Sequence, residues 1–407
     1  VFAGMGGSGA IGDIFSAILS KTSTHVTVVK GYHLPKTVTS DSVVVVTSIS
    51  GNTIETISML ENAIKLNSKI IVFSDGGKME EICKNQKIPH RRIKKYHSPR
   101  GSFTSFLYGM LHVLKPIITI EEKDITESIK KLENISKKIN SKNITEENPA
   151  IKLAKWINSM PVIYYPWGLE PVGIRFKNSL QENSKIQAVI EDVIESCHNG
   201  IVTWDKQNNF QPILIRGQDD FEKTKERWEI LKEFFDKQKI DYKEIISEDG
   251  NILTKIICLI YLLDYASIYL AIKLERMNIE RQTIESHILQ EAVNKVKKHT
   301  DSSILCVCSD GWHRGVIGII ASRLVEIYSK PAVVISLENQ VGVGSGRSIP
   351  GFNLGSNFNA AVEKNLLLKG GGHSMAGGFT IKKDKVDAFV TFLGAVSGTS
   401  LSFRIFS

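Results

Sequence analysis

The sequence predicts an α/β protein, with parallel sheets flanked by helices in two successive domains and a smaller α/β region after them. Three observations predict it. Short β-branched runs alternate with amphipathic stretches from the first residues on, a second such series begins near Pro149, and a third begins beyond Met277. A β-α-β-α series returns each strand in the same direction, so the strands it joins pair in parallel. At 407 residues the chain is long enough for two or three separate cores, and its 42% hydrophobic and 23% charged content is that of an ordinary soluble protein.

In the first series, "HVTVV", "SVVVVTSI" and "SKIIVFSD" read as buried parallel strands bounded by turn residues. Between them, "AIGDIFSAILSK" and "TIETISMLENAIKL" repeat apolar residues at three- and four-residue intervals, the spacing of an amphipathic helix. The stretch from Glu121 to Asn148 is lysine-rich but interleaved with acids, which predicts a solvated connecting helix rather than a nucleic-acid patch. In the second series "MPVIYYPWG" and "FQPILIRG" are strands and "FEKTKERWEILKEFFDKQK" is a helix. The series closes on a buried apolar helix ending near Ile272, whose run "IICLIYLLDYASIYLAI" contains Asp264 and falls short of a bilayer span.

In the third series "NIERQTIESHILQEAVNKVKKH" and "GVIGIIASRLVEIYS" are helices, and "SSILCVCS" and "KPAVVISL" are strands. The glycine-rich stretches "GVGSGRSIPGFNLG" and "KGGGHSMAGGF" follow, the first as a loop around Arg347 and Ser348, and the last residues, "GAVSGTSLSFRIFS", fit no pattern. The domain limits are set at 1–148, 149–275 and 276–407. Only Val1-Phe2-Ala3 precedes the first glycines, so the leading strand reads as cut short and the chain as a fragment.

A net charge of +8 suits an anionic partner, either a sugar phosphate or a nucleic acid. The five cysteines form no CxxC pair and are odd in number, which points to a reducing cytoplasm. Cys306 and Cys308, two apart in an apolar run, read as core thiols on one strand face rather than metal ligands.

Gly4, Gly6 and Gly9 in "GMGGSG" fit the G-x-G-x-x-G spacing of a dinucleotide site. That site wants an acidic residue at the end of the next strand to hold ribose hydroxyls, but "HVTVV" runs into Lys30 and Gly31. A cofactor with a 2′-phosphate remains open. The third strand offers a different ligand. "TSISGNTIET" places Ser48, Ser50, Gly51, Asn52 and Thr53 where a strand ends and a helix begins, a compact cradle for one phosphate. Both loops leave the carboxyl ends of strands in one sheet, the rim where α/β ligands bind.

"GMGGSG", "SISGNTIET", "HSPRGS", "RFKNSLQENSK", "IESCHNG", "LIRGQDD" and "DYASIYLA" together resemble the bifunctional phosphoglucose/phosphomannose isomerases, over about residues 1–271. The resemblance implies a pair of doubly wound sugar isomerase (SIS) domains that interconvert glucose or mannose 6-phosphate with fructose 6-phosphate through an enediol. It implies Glu182 as the proton-moving base, His198 as the ring-opening group, Arg100 as the cation steadying the enediolate, and Gly7, Ser8, Ser48, Ser50 and Thr53 as phosphate contacts. It implies no metal and no cofactor, no membrane association, and a homodimer that completes the site. The family also has a lysine after the "DYASIYLA" helix. Lys273 follows that helix too closely to match it, so substrate binding is a firmer expectation than turnover.

From about residue 278 to 392, "NIERQTIE", "SDGWHRGVIGIIASRLVEIYSKPAVVIS", "GSGRSIPGFNL" and "GGGHSMAGGF" resemble the DHH-associated domain of RecJ-type exonucleases. The resemblance implies weak single-stranded nucleic-acid binding through Arg347, Ser348, His313 and His373. The metal-bearing nuclease domain has no counterpart in the sequence, so no nuclease activity is expected. The seam inside "IYLAIKLERMNIERQ" has no linker. It reads as a joining of two unrelated sequences, by gene rearrangement or as an assembly artefact.

Overall fold

The computed structural model describes residues 1–98, 100–206, 209–297 and 302–396. They divide into two compact units, Val1–Leu274 and Glu275–Ser407.

The first unit holds two parallel sheets. Strands β1 (Phe2–Ala3), β2 (Val28–Val29), β3 (Val43–Thr47), β4 (Lys69–Ser74) and β5 (His90–Arg92) are ordered β2-β1-β3-β4-β5. Helices α1 (Gly6–Leu19), α2 (Ile54–Lys65), α3 (Gly77–Gln86) and α4 (Phe103–Leu114) flank the sheet. Val45 and Phe73 pack with α1 and α4, whereas Val44, Val46 and Val72 pack with α2 and α3, so β3 and β4 are buried on both faces. The order reverses between β1 and β3, which opens a crevice at their carboxyl ends. "HVTVV" is strand over Val28–Val29 only, a half-buried edge.

Helices α5 (Glu122–Ile139) and α6 (Pro149–Trp156) connect to the second sheet. The connecting helix α5 is not wholly solvated, for Ile135 and Ile139 enter the core. Strands β6 (Met160–Tyr165), β7 (Val189–Asp192), β8 (Phe210–Arg216) and β9 (Lys243–Ile246) are ordered β7-β6-β8-β9, all parallel. Helices α7 (Glu170–Ser179), α8 (Val193–Ser196) and α9 (Glu222–Gln238) accompany them, and Trp228, Leu231 and Phe235 of α9 bury one face. The other face shares a single apolar core with the first sheet.

Helix α10 spans Ile252–Val296, past the end near Ile272 that the sequence pattern suggested. No glycine or proline lies between Ala271 and Gln282 to interrupt its hydrogen-bond ladder. By length and composition it could cross a membrane, contrary to the shorter span expected. Within the first unit its apolar residues serve the core, where Leu253, Ile256, Ile257, Leu263 and Leu270 are buried.

The second unit is a mixed sheet of β10 (Leu305–Asp310), β11 (Ala332–Glu338), β12 (Val341–Arg347), β13 (Lys369–His373) and β14 (Ala376–Lys382), ordered β10-β11-β12-β14-β13. Only the β10–β11 pair is parallel. Helix α11 (Ile317–Tyr328) covers one face, and α12 (Leu354–Glu363) and α13 (Val386–Val396) cover the other. Cys306 and Cys308 lie on the face toward α12 and α13, packed as thiols of that core.

The glycine-rich stretches are strand over Val341–Arg347, Lys369–His373 and Ala376–Lys382, while residues 348–353 form a loop before α12. A Cβ on Gly344 would sit 2.0 Å from the Phe379 ring, and one on Gly377 would sit 2.7 Å from Phe358. Glycine lets two aromatic rings lie flat on the sheet, which local propensity alone disfavours. The tail "GAVSGTSLSFRIFS" lies almost wholly outside the described residues.

Candidate functional site

The chain enters α1 through Gly6, whose φ of +52° glycine adopts readily. The "GMGGSG" segment is therefore the first turn of a helix rather than a free loop. Gly4 permits the close approach of strand and helix, since a Cβ there would lie 2.9 Å from the Thr47 carbonyl oxygen. Met5 at the N-cap makes no side-chain capping hydrogen bond to the helix N–H groups, and neither does Thr53 at the N-cap of α2. Two helix N-termini thus open onto the same crevice without plugging themselves.

Ser48, Ser50, Gly51 and Thr53 form a tight turn between β3 and α2. The Ser48 hydroxyl accepts from the Gly51 N–H at 3.2 Å and lies 3.0 Å from the Thr53 hydroxyl. Gly51 has φ +70°, and any Cβ would stand 1.8 Å from the Gly76 carbonyl oxygen. Ser48 is buried and shapes the turn, whereas Gly7, Ser8, Ser50 and Thr53 line a cavity of about 290 Å³.

The opposite wall comes from α7 and its continuation. Arg175, Asn178, Ser179 and Glu182 line the cavity at helical spacing, with Arg100 from the turn before α4. The chain passes from α7 into a π-helical turn at Leu180–Ser184, which carries Glu182. That turn is pinned to α10, because Asn183 Nδ2 donates to Ser267 Oγ at 2.8 Å and Ser184 Oγ donates to the Ser267 carbonyl at 2.7 Å. Arg100 Nε pairs with Glu182 Oε2 at 3.0 Å, and a second guanidinium nitrogen donates to Asn183 Oδ1.

Arg175 is nearly fully buried. Its Nε donates to both Asp264 oxygens at 3.2 Å, its Nη2 donates to Oδ2 at 2.8 Å, and its guanidinium stacks 4.3 Å from the Phe103 ring centre. The Ser179 hydroxyl holds Asp264 Oδ1 at 2.5 Å. Sequence reasoning missed Arg175, Asn178 and Ser179, although with Glu182 they follow the i, i+3, i+4, i+7 rule of one helix face. Asp264 was noticed only as a flaw in an apolar run.

The other expected site residues are placed elsewhere. His198 is exposed just beyond α8, where its N–H donates to the Glu195 carbonyl at 2.9 Å, and it does not line this cavity. Lys273 also lies outside the lining. Its ammonium donates to the Lys155 and Ile157 carbonyls at 2.8 and 2.9 Å, closing the end of α6, and burial lowers its pKa. In the second unit the strand register sets Arg347 and His373 in one row across Ala376, while exposed His313 follows β10 at the sheet's opposite end. Ser348 is buried and its hydroxyl donates to the Phe352 carbonyl at 2.6 Å. Among the described residues no cluster has the makings of a metal site.

Residues 1–108 match the SIS domain, residues 146–285 match the bacterial phospho-glucose isomerase C-terminal SIS domain, and residues 301–397 match the DHHA1 domain. The fold of the tagatose-6-phosphate ketose/aldose isomerase from Escherichia coli is shared with a TM-score of 0.53 at 13% identity, covering 68% of this chain and 81% of that one. The single-stranded-DNA-specific exonuclease RecJ of Bacillus subtilis is 36% identical over 33% of this chain, but over only 17% of its own length. The bifunctional phosphoglucose/phosphomannose isomerase of Caldicellulosiruptor bescii is 31% identical over 280 residues, 67% of this chain and 83% of that protein. With both SIS modules matched in order, and with that identity over most of a relative's length, the chain belongs to the bifunctional phosphoglucose/phosphomannose isomerase family.

Proposed function

We propose that the first unit interconverts glucose 6-phosphate or mannose 6-phosphate with fructose 6-phosphate. One observation carries this reading: a single cavity joins two uncapped helix N-termini and their hydroxyls to the Arg100–Glu182 pair. The phosphate rests on the N-terminal turns of α1 and α2, with Gly7 giving backbone and Ser8, Ser50 and Thr53 giving hydroxyls, while Ser48 keeps the turn in shape. The sugar carbons then lie toward Glu182. Its carboxylate takes the proton from C2 of the aldose and returns it to C1, so one base serves both halves of the exchange. Arg100 meets the negative charge that develops on the enediolate oxygen.

His198, as the ring-opening group, enters this scheme from a second copy of the chain. Its exposure on the carboxyl rim of the second sheet supports that arrangement. The decisive assay couples fructose 6-phosphate conversion to glucose 6-phosphate detection. Glu182→Gln is expected to lower kcat by about 10²–10⁴-fold with unchanged thermal unfolding. Full activity in that variant removes Glu182 from the mechanism.

A second reading concerns the other unit alone and rests on its DHHA1 match. There Arg347 and His373 form a polar row for a single-stranded backbone. Affinity for an oligonucleotide should fall with added salt and with Arg347→Ala. Binding that ignores both ends this reading.

A further inference from the structure

We propose that Arg175 is a further substrate-binding residue of this site, holding the phosphate through Nη1; the inference rests on the isomerase reading above. The guanidinium is built to present one edge. Asp264 occupies Nε and Nη2, the Phe103 ring covers one face of the group, and Ser179 donates to the Asp264 carboxylate. Nη1 is the remaining nitrogen, and among the described residues it has no protein partner. It faces the first turn of α1, where a Cβ added to Gly7 would stand 3.4 Å from it. Gly7 and Arg175 both line the cavity.

The placement has a chemical consequence. A phosphate oxygen resting on the N-terminal turn of α1 meets a charge-assisted donor from the other wall, so the two SIS modules grip one group together. A buried arginine serving stability alone would spend all its donors on protein groups. Here the donors are divided. Two nitrogens hold the group still, and the third is left to the cavity.

Deleting one partner of a buried ion pair destabilises a protein strongly, while replacing both by apolar residues is often neutral. The test therefore uses the double variant Arg175→Met/Asp264→Leu in the full chain. Fructose 6-phosphate binding is titrated calorimetrically, with thermal unfolding recorded beside it. The double variant is expected to unfold near the parent temperature and to bind at least about tenfold more weakly, as loss of one charged hydrogen bond requires. Inorganic phosphate as a competitor should weaken by a similar factor, since the contact is to the phosphate and not the sugar.

Binding within twofold of the parent in a folded double variant overturns the proposal. If that variant does not fold, Arg175→Lys decides instead: the point charge keeps the Asp264 pair but loses the fork, so a higher KM with kcat retained supports the proposal and an unchanged KM overturns it. A parent chain that binds fructose 6-phosphate without converting it fails the isomerase reading yet leaves the affinity comparison valid. A parent that does not bind it overturns both.

Discussion

The two parallel sheets of the first unit differ most at their carboxyl rims. On the first rim, α1 and α2 begin without side-chain caps, and small or hydroxyl residues surround their N-termini. On the second rim the chain supplies its own anions. The Asp192 carboxylate accepts from the Ile194 and Glu195 N–H groups at the start of α8, and Asp220 accepts from Gly217 N–H at 3.0 Å and from Trp228 Nε1 at 2.9 Å. Glu170 opens α7. Burial raises the pKa values of Glu170, Glu191 and Asp220, and neighbouring carboxylates raise the first two further. On the second rim only α8 has its N-terminus filled by a carboxylate, for α7 and α9 also begin without a side-chain cap; the ends of α1 and α2 differ in that both border the cavity.

The comparison can be broken at both rims. The largest effect is expected from Gly51→Ala. Its φ of +70° and the 1.8 Å approach to the Gly76 carbonyl leave no room for a Cβ, so the turn must move. A loss of roughly 1–3 kcal/mol in unfolding free energy should accompany loss of fructose 6-phosphate binding; a variant that keeps both would show that the turn is not the receptor.

Next comes Thr53→Asp, which gives the first rim the chemistry of the second. Aspartate is at least as good an N-cap as threonine, so the fold should hold. Its charge, however, opposes a phosphate at about 4 Å by roughly 1–4 kcal/mol. Steady-state kinetics should show KM raised by at least about tenfold, and an unchanged KM would detach α2 from the phosphate.

At the second rim, Asp192→Ala removes the α8 cap and should cost about 1 kcal/mol in chemical denaturation while sparing KM. A KM change there would show that this rim also touches substrate. The smallest effect is a pH signature. The Glu191 carboxyl has a raised folded pKa, first from burial and then from Glu195. The protonated form is therefore favoured in the folded state, and its stabilising contribution is lost as pH rises from the ordinary carboxylate range through the folded value. Glu191→Gln should accordingly gain stability over the parent at pH 8 and lose that advantage near pH 4. An equal difference at both pH values would mean that the carboxylate is not strained.

Much of the fold was legible because strand and helix periods are local. The runs at Val43–Thr47, Lys69–Ser74 and Met160–Tyr165 are strands whose alternate residues feed two cores. The turn between β3 and α2 was legible for the same reason, since Ser50, Gly51 and Thr53 adjoin a strand end and a helix start. The glycine-rich run up to Arg347 was read as a loop because propensity assigns glycine there, and it is strand β12. The ring that each glycine admits comes from another element, Phe379 of β14 for Gly344 of β12 and Phe358 of α12 for Gly377 of β14. Helix α10 was cut short because a change of hydrophobic pattern was read as a boundary, although no residue there breaks a helix.

By itself, then, the sequence determined the strongly periodic strands and helices, the two hydroxyl-bearing turns and the family they mark, since each depends on residues within a few positions of one another. Tertiary structure alone decided that Arg175 meets Asp264 across 89 residues, that Glu182 faces the first sheet's rim, and that His198 does not. Those outcomes depend on how two sheets and a helix share one core, and no local periodicity encodes the direction in which a distant side chain is held.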